Sequence, residues 1–155
     1  MKFLKPAIIA AAILGAGGAM ASPYDHAIEA RQGRMDNLAF NLGILGGMAK
    51  GAMPYDATEA KSAADNLVTL SALNIGAYWP KGSDDEVLKG DKLKTHALPA
   101  IWAKEGEFMG HYKALHEAPL KMQIAAATGR EGIQGAIGDV GKACGACHKA
   151  FRAPE

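Results

Sequence analysis

The sequence predicts an all-α fold, an antiparallel four-helix bundle over residues 22–155. Three observations predict it. Four stretches carry apolar residues at three- and four-residue spacing, the stripe of a bundle helix. No stretch alternates polar and apolar residues as a half-buried strand would. The two cysteines of the 155-residue chain lie in one short run on the inner face of the last stretch.

Residues 1–21 read as a secretory leader rather than structure. Lys2 and Lys5 form the positive end, Ala7 to Ala16 the apolar run, and Ala19-Met20-Ala21 a small-x-small cleavage site. Gly15, Gly17 and Gly18 interrupt the run, which is short for a membrane span. Cleavage before Ser22 is expected, and with it export to the periplasm. Of 17 basic and 16 acidic residues, Lys2 and Lys5 leave with the leader. The near-neutral remainder argues against a nucleic-acid partner, and no later run is long enough for stable membrane insertion.

The first helix is expected from about Asp25 to Lys50. Ile28, Met35, Leu38, Leu42, Leu45 and Ala49 form its stripe, while Met48 falls outside it. Arg31 lies on the same inward stripe and Gln32 beside it. A buried arginine is rare without a partner, so an anionic group is expected there. Phe40, Ile44 and Gly47 form a second stripe outside the first. Gly51 and Pro54 end the segment.

Asp56-Ala-Thr-Glu59 predicts a capping box opening the second helix. Ala60, Ala63, Leu67, Leu70 and Asn74 mark its inner face. From about Gly76 to Leu98 the helical pattern lapses into turn formers: Pro80, Gly82, Ser83-Asp84-Asp85 and Lys89-Gly90-Asp91. A connection this long serves as the crossover of the bundle. Its Tyr78 and Trp79 are expected to cover a core edge.

Pro99 suits the first turn of the third helix. Ile101, Phe108, Leu115 and Met122 repeat every seven residues, with Glu105 and Tyr112 between them. Pro119 should kink or break this helix near Glu117. The last helix is expected from about Glu131 to Phe151, with Ile133, Ile137, Val140, Cys144, Cys147, His148 and Phe151 on one face. Five glycines on it (Gly132, Gly135, Gly138, Gly141, Gly145) each cost roughly 1 kcal/mol against alanine. They suggest that something bulky approaches this backbone.

Cys144-Gly145-Ala146-Cys147-His148 has the spacing of a c-type haem attachment site. Two thiols this close add to the two vinyl groups of one porphyrin, and the adjoining imidazole reaches the iron. Three other chemistries fit less well. A thioredoxin-like pair wants a strand-then-helix context, and a structural zinc site wants four ligands. A plain disulfide would leave His148 unexplained.

On these residues the chain resembles the cytochrome c prime family, the class II c-type cytochromes. Arg31-Gln32 followed by Met35, Lys50-Gly51 with Pro54-Tyr55-Asp56-Ala57, Ile101-Trp102, and Gly138-Asp139-Val140-Gly141 before the haem motif carry the resemblance, which spans the chain after the leader. It implies one covalent haem c, thioethers at Cys144 and Cys147, and His148 as proximal ligand. It also implies Arg31 and Gln32 near the haem propionates and Arg152 near the proximal histidine. Met35 matches the position facing the other side of the iron. In high-spin members that position blocks the site; in low-spin relatives a methionine there binds the metal. The inward register of Met35 and its short neighbours Gly33 and Asp36 favour ligation.

Methionine–histidine ligation suits electron transfer, with periplasmic redox proteins as partners. An open iron would instead take a small gas, nitric oxide or carbon monoxide. The resemblance also implies a homodimer through the first two helices, with the Phe40 stripe as contact. A peroxidase would want a polar acid–base group over the iron, and the stripe offers Met35, Leu38 and Leu42, so no catalytic residue is expected. His26, His96, His111 and His116 read as surface or satisfied core histidines.

Overall fold

The computed structural model describes residues 22–90 and 94–154. Residues 1–21, read above as a leader, and Asp91 lie outside the described residues. Helix α1 spans Asp25–Lys50, α2 Ala57–Ala72, α3 Ala100–Ala103, α4 Glu105–Ala126 and α5 Arg130–Phe151. The long helices α1, α2, α4 and α5 pack in a closed ring, each against the next, as an antiparallel four-helix bundle. Among the described residues there is no strand.

The helix ends follow local chemistry. Gly51 closes α1 in the left-handed region (φ 73°), its N–H returning to the Met48 carbonyl. Gln134 and Arg130 of α5 then donate to the Ala49 carbonyl at 2.7 and 3.3 Å, serving acceptors that a helix end leaves unpaired. At α2 the Asp56 carboxylate accepts the Glu59 N–H at 2.8 Å, as the capping box requires. Helix α2 stops at Ala72, so Asn74 is exposed and its side chain accepts the Gly76 N–H. Ser71 takes the buried place expected of Asn74.

The third segment breaks at Lys104, not at Pro119. Lys104 (φ −129°, ψ 48°) separates α3 from α4, and α4 runs through Pro119 without interruption. Proline removes one amide donor, but this ring is fully buried and α4 packs against both α2 and α5. That packing outweighs the lost bond. Glu105, at the start of α4, is exposed rather than on the inner repeat.

The α5 glycines sit in two settings. A Cβ at Gly135, Gly138, Gly141 or Gly145 would meet nothing within 4 Å, and all four positions are exposed. No protein atom closes over these four positions, and Gly141 and Gly145 lie one heptad and one turn before His148. Gly132 is crowded instead by its own helix entry, where a Cβ would collide with the Ala125 carbonyl and Thr128 Oγ1.

Two apolar clusters make the core. The larger joins α1, α2, α4 and α5 through Leu38, Leu45, Met48, Ala60, Leu67, Met122, Ile133 and Val140. Met48 is fully buried, because one turn beyond Leu45 still faces the bundle interior. Its burial contributes about 1.5–3 kcal/mol. The smaller cluster is aromatic: Phe108, Tyr112 and Phe151 with Ile75, Ile101 and the packed Trp79. Met35 touches both clusters. The crossover is tied to the end of α5 by Leu98 N–H to the Phe151 carbonyl (3.0 Å) and Ala153 N–H to the His96 carbonyl (2.8 Å).

Candidate haem site

Between the two clusters lies a cavity of about 550 Å³. Met35, Leu38 and Leu42 of α1 form one wall; Cys144, Cys147 and His148 of α5 line it too. Helix α4 adds Phe108, Tyr112, Leu115 and Pro119, and the crossover adds Trp79, Thr95 and His96. Arg31, Gln32, Met35, Cys144, Cys147, His148 and Arg152, scattered over the sequence, all line this one cavity. Helical periodicity accounts for the placement. Met35, Leu38 and Leu42 share a face of α1, and Cys144, Cys147 and His148 share a face of α5.

Both thiols are half-buried and form no disulfide with one another. Burial pushes the Cys144 thiol up, and burial with repulsion from Cys144 pushes Cys147 up to about 11. They are thus neutral thiols rather than the depressed, thiolate-forming kind a redox pair uses. Among the described residues no group of three or more His, Cys, Asp or Glu side chains could hold a metal ion. Burial, and then the positive charge of Arg152, lower the His148 pKa, which keeps the imidazole neutral with a lone pair to offer. Arg152 sits at the end of α5, its N–H bonded to the His148 carbonyl at 3.0 Å.

Arg31 is buried, and within the protein it donates to neutral oxygens. Nη1 donates to Ser83 Oγ (2.7 Å) and the Tyr78 carbonyl (3.3 Å); Nη2 donates to the Ser83 carbonyl and Thr95 Oγ1, both at 2.5 Å. Burial lowers its pKa to about 10, with Tyr112 and Asp84 acting in the opposite direction, so it stays charged near neutral pH. The guanidinium also lies 4.6 Å from the Trp79 ring centroid. Gln32 Nε2 donates to the Lys94 carbonyl at 2.8 Å. The first helix therefore grips the crossover at two points.

Sequence reasoning missed several lining groups. The exposed His96 and the half-buried His111 also line the cavity, and His111 stacks edge-on against Phe151 at 5.7 Å. Trp79 contacts Phe108 (5.1 Å) and donates its Nε1–H to the Tyr112 hydroxyl at 3.2 Å. The seven-residue repeat through Phe108 pointed to this face, and Trp79 covers a core edge as expected. Arg34, outside the apolar stripe read from the sequence, is also buried.

The cytochrome c' family model matches residues 26–152. The chain belongs to the cytochrome c' family. It is 43% identical over 132 residues to cytochrome c-554 of Cereibacter sphaeroides, covering 85% of this chain and 84% of that protein. Among solved structures, a cytochrome c' from Rhodobacter spheriodes superposes with a TM-score of 0.80 at 36% identity, over 86% of this chain and all of that one. The nitric oxide complex of an L16A mutant of cytochrome c prime from Alcaligenes xylosoxidans has a TM-score of 0.73 at 30% identity, over 88% and 100% of the two chains. As a cytochrome c' family protein the chain binds one covalently attached haem c. The residues fit that group: two neutral thiols and a neutral imidazole on one helix face, before an apolar cavity.

Proposed function

We propose that this protein is a periplasmic electron carrier whose haem iron cycles between Fe(II) and Fe(III). In this reading Cys144 and Cys147 form the thioethers, His148 is the proximal ligand and Met35 is the ligand from α1. One observation carries it: Met35 and His148, on different helices, line the same cavity. When bound, the haem supplies the one-electron couple. The chain supplies its setting. The apolar wall of Leu38, Leu42, Leu115 and Val140 excludes water, and burial, with the charge of Arg152, holds the His148 pKa down. Arg31 and Gln32 brace the crossover and put a positive charge and an amide donor within reach of the haem propionates. No helix among the described residues is long and apolar enough to cross a membrane, in keeping with an exported carrier. Phe40, 68% exposed on the outer face of α1, is the proposed contact of a homodimer.

The test is an absorption spectrum of the ferrous protein with and without carbon monoxide. A low-spin, six-coordinate spectrum that carbon monoxide leaves unchanged is expected; a pentacoordinate high-spin spectrum would refute ligation by Met35. The second reading, capture of a small gas at an open iron, is favoured by the likeness to the nitric oxide complex. Carbon monoxide uptake by the ferrous form would select it.

A further inference from the structure

Arg34 lies one turn beyond Arg31 on α1 and is 4% exposed. Its Nε donates to the Leu70 carbonyl at 2.8 Å and its Nη1 to the Tyr112 hydroxyl at 3.1 Å. Its Nη2 is buried and has no hydrogen-bond partner. The guanidinium also stacks over the Tyr112 ring, 5.0 Å from the centroid. Among the described residues it takes part in none of the ion pairs.

A guanidinium keeps its charge in a protein interior, and burying one with no counter-ion is costly. The fold nevertheless fixes this one beside the haem cavity, because Tyr112, its partner, is part of the cavity wall. The Tyr112 oxygen accepts a second bond from Trp79 Nε1, so the ring that carries Arg34 is held from both sides. Arg31 differs: four neutral oxygens surround it and Asp84 acts on its charge.

We propose that Arg34 is a positioning residue that raises the reduction potential of the haem iron, its charge, which no described carboxylate pairs, favouring Fe(II) over the more positive Fe(III). The inference rests on the reading of the site as an electron carrier. Reduction adds one electron, delivered by a redox partner protein, and no bond of the chain forms or breaks. Between unit charges roughly 10 Å apart at an effective dielectric of about 20, Coulomb's law gives roughly a tenfold change in an equilibrium.

The experiment is a spectroelectrochemical titration of the holoprotein and of Arg34→Gln, Arg34→Met and Arg34→Lys. Gln and Met remove the charge, and Met refills the volume with apolar atoms, a replacement that buried ions tolerate. Both should move the Fe(III)/Fe(II) equilibrium about tenfold toward Fe(III), a potential about 59 mV lower for one electron. Lys, which keeps the charge, should stay within about threefold of wild type. A Gln or Met variant within threefold of wild type, or with a higher potential, overturns the proposal. A high-spin ferrous spectrum with the tenfold shift intact would instead overturn ligation by Met35 and leave the role of Arg34 standing.

Discussion

Arg31 holds Ser83 by two hydrogen bonds, Nη1 to the hydroxyl at 2.7 Å and Nη2 to the carbonyl at 2.5 Å. The pair links the second turn of α1 to the middle of the crossover, 52 positions away in the chain. The loop has no helix of its own over Ser83, so its position depends on this grip.

Arg31→Leu should therefore destabilise the holoprotein by about 2–4 kcal/mol, since it strands buried oxygens at Ser83 and Thr95. Ser83→Ala removes one acceptor and should cost about 1 kcal/mol. Urea unfolding monitored by circular dichroism checks both. Equal stability of Arg31→Leu and wild type would mean that the crossover is held elsewhere.

Met35→Ala tests the iron's second ligand. The low-spin ferrous spectrum should become high-spin, and carbon monoxide should then bind. An unchanged spectrum would assign ligation to another residue. Because Met35 packs against both core clusters, the truncation should also cost about 2–4 kcal/mol.

Tyr112 provides a pH signature. Burial raises its pKa above the ordinary 10.0, against the opposing pulls of Arg34 and Trp79. The unfolded chain then loses this proton at lower pH than the folded one. Tyr112 therefore contributes stability that is full below pH 10 and lost as pH rises through the folded-state value. Among the four tyrosines, one should ionise last in a titration followed at 295 nm. Tyr112→Phe should remove that late step; its persistence would reassign it.

Phe40→Lys addresses assembly. Phe40 and the half-buried Ile44 line a shallow groove between α1 and α2. A charge at an exposed interface centre should shift a dimer to monomer in analytical ultracentrifugation, with the ferrous spectrum unchanged. A wild-type monomer at high concentration would remove the dimer from the proposal.

Much of the site was legible in the sequence because helices are periodic. The capping box fixed where α2 begins, and the three- and four-residue spacing put Met35 on the face that lines the cavity. The Cys-x-x-Cys-His run put two thiols and an imidazole on one face of α5 for the same reason. Periodicity failed where tertiary contacts override local preference. Pro119 reads as a break, yet burial against α2 and α5 carries α4 through it.

The sequence by itself determined where α1 and α5 lie, the haem attachment run and the inward registers of Met35 and Arg31, because each depends on residues within a few turns. Only the tertiary structure decided what Arg31 and Arg34 touch. Their partners, Ser83 and Thr95 for one, Leu70 and Tyr112 for the other, lie 36 to 78 positions away. A side chain's spacing says which way it points, whereas its partner is set by whichever distant segment the folded chain brings within hydrogen-bond reach.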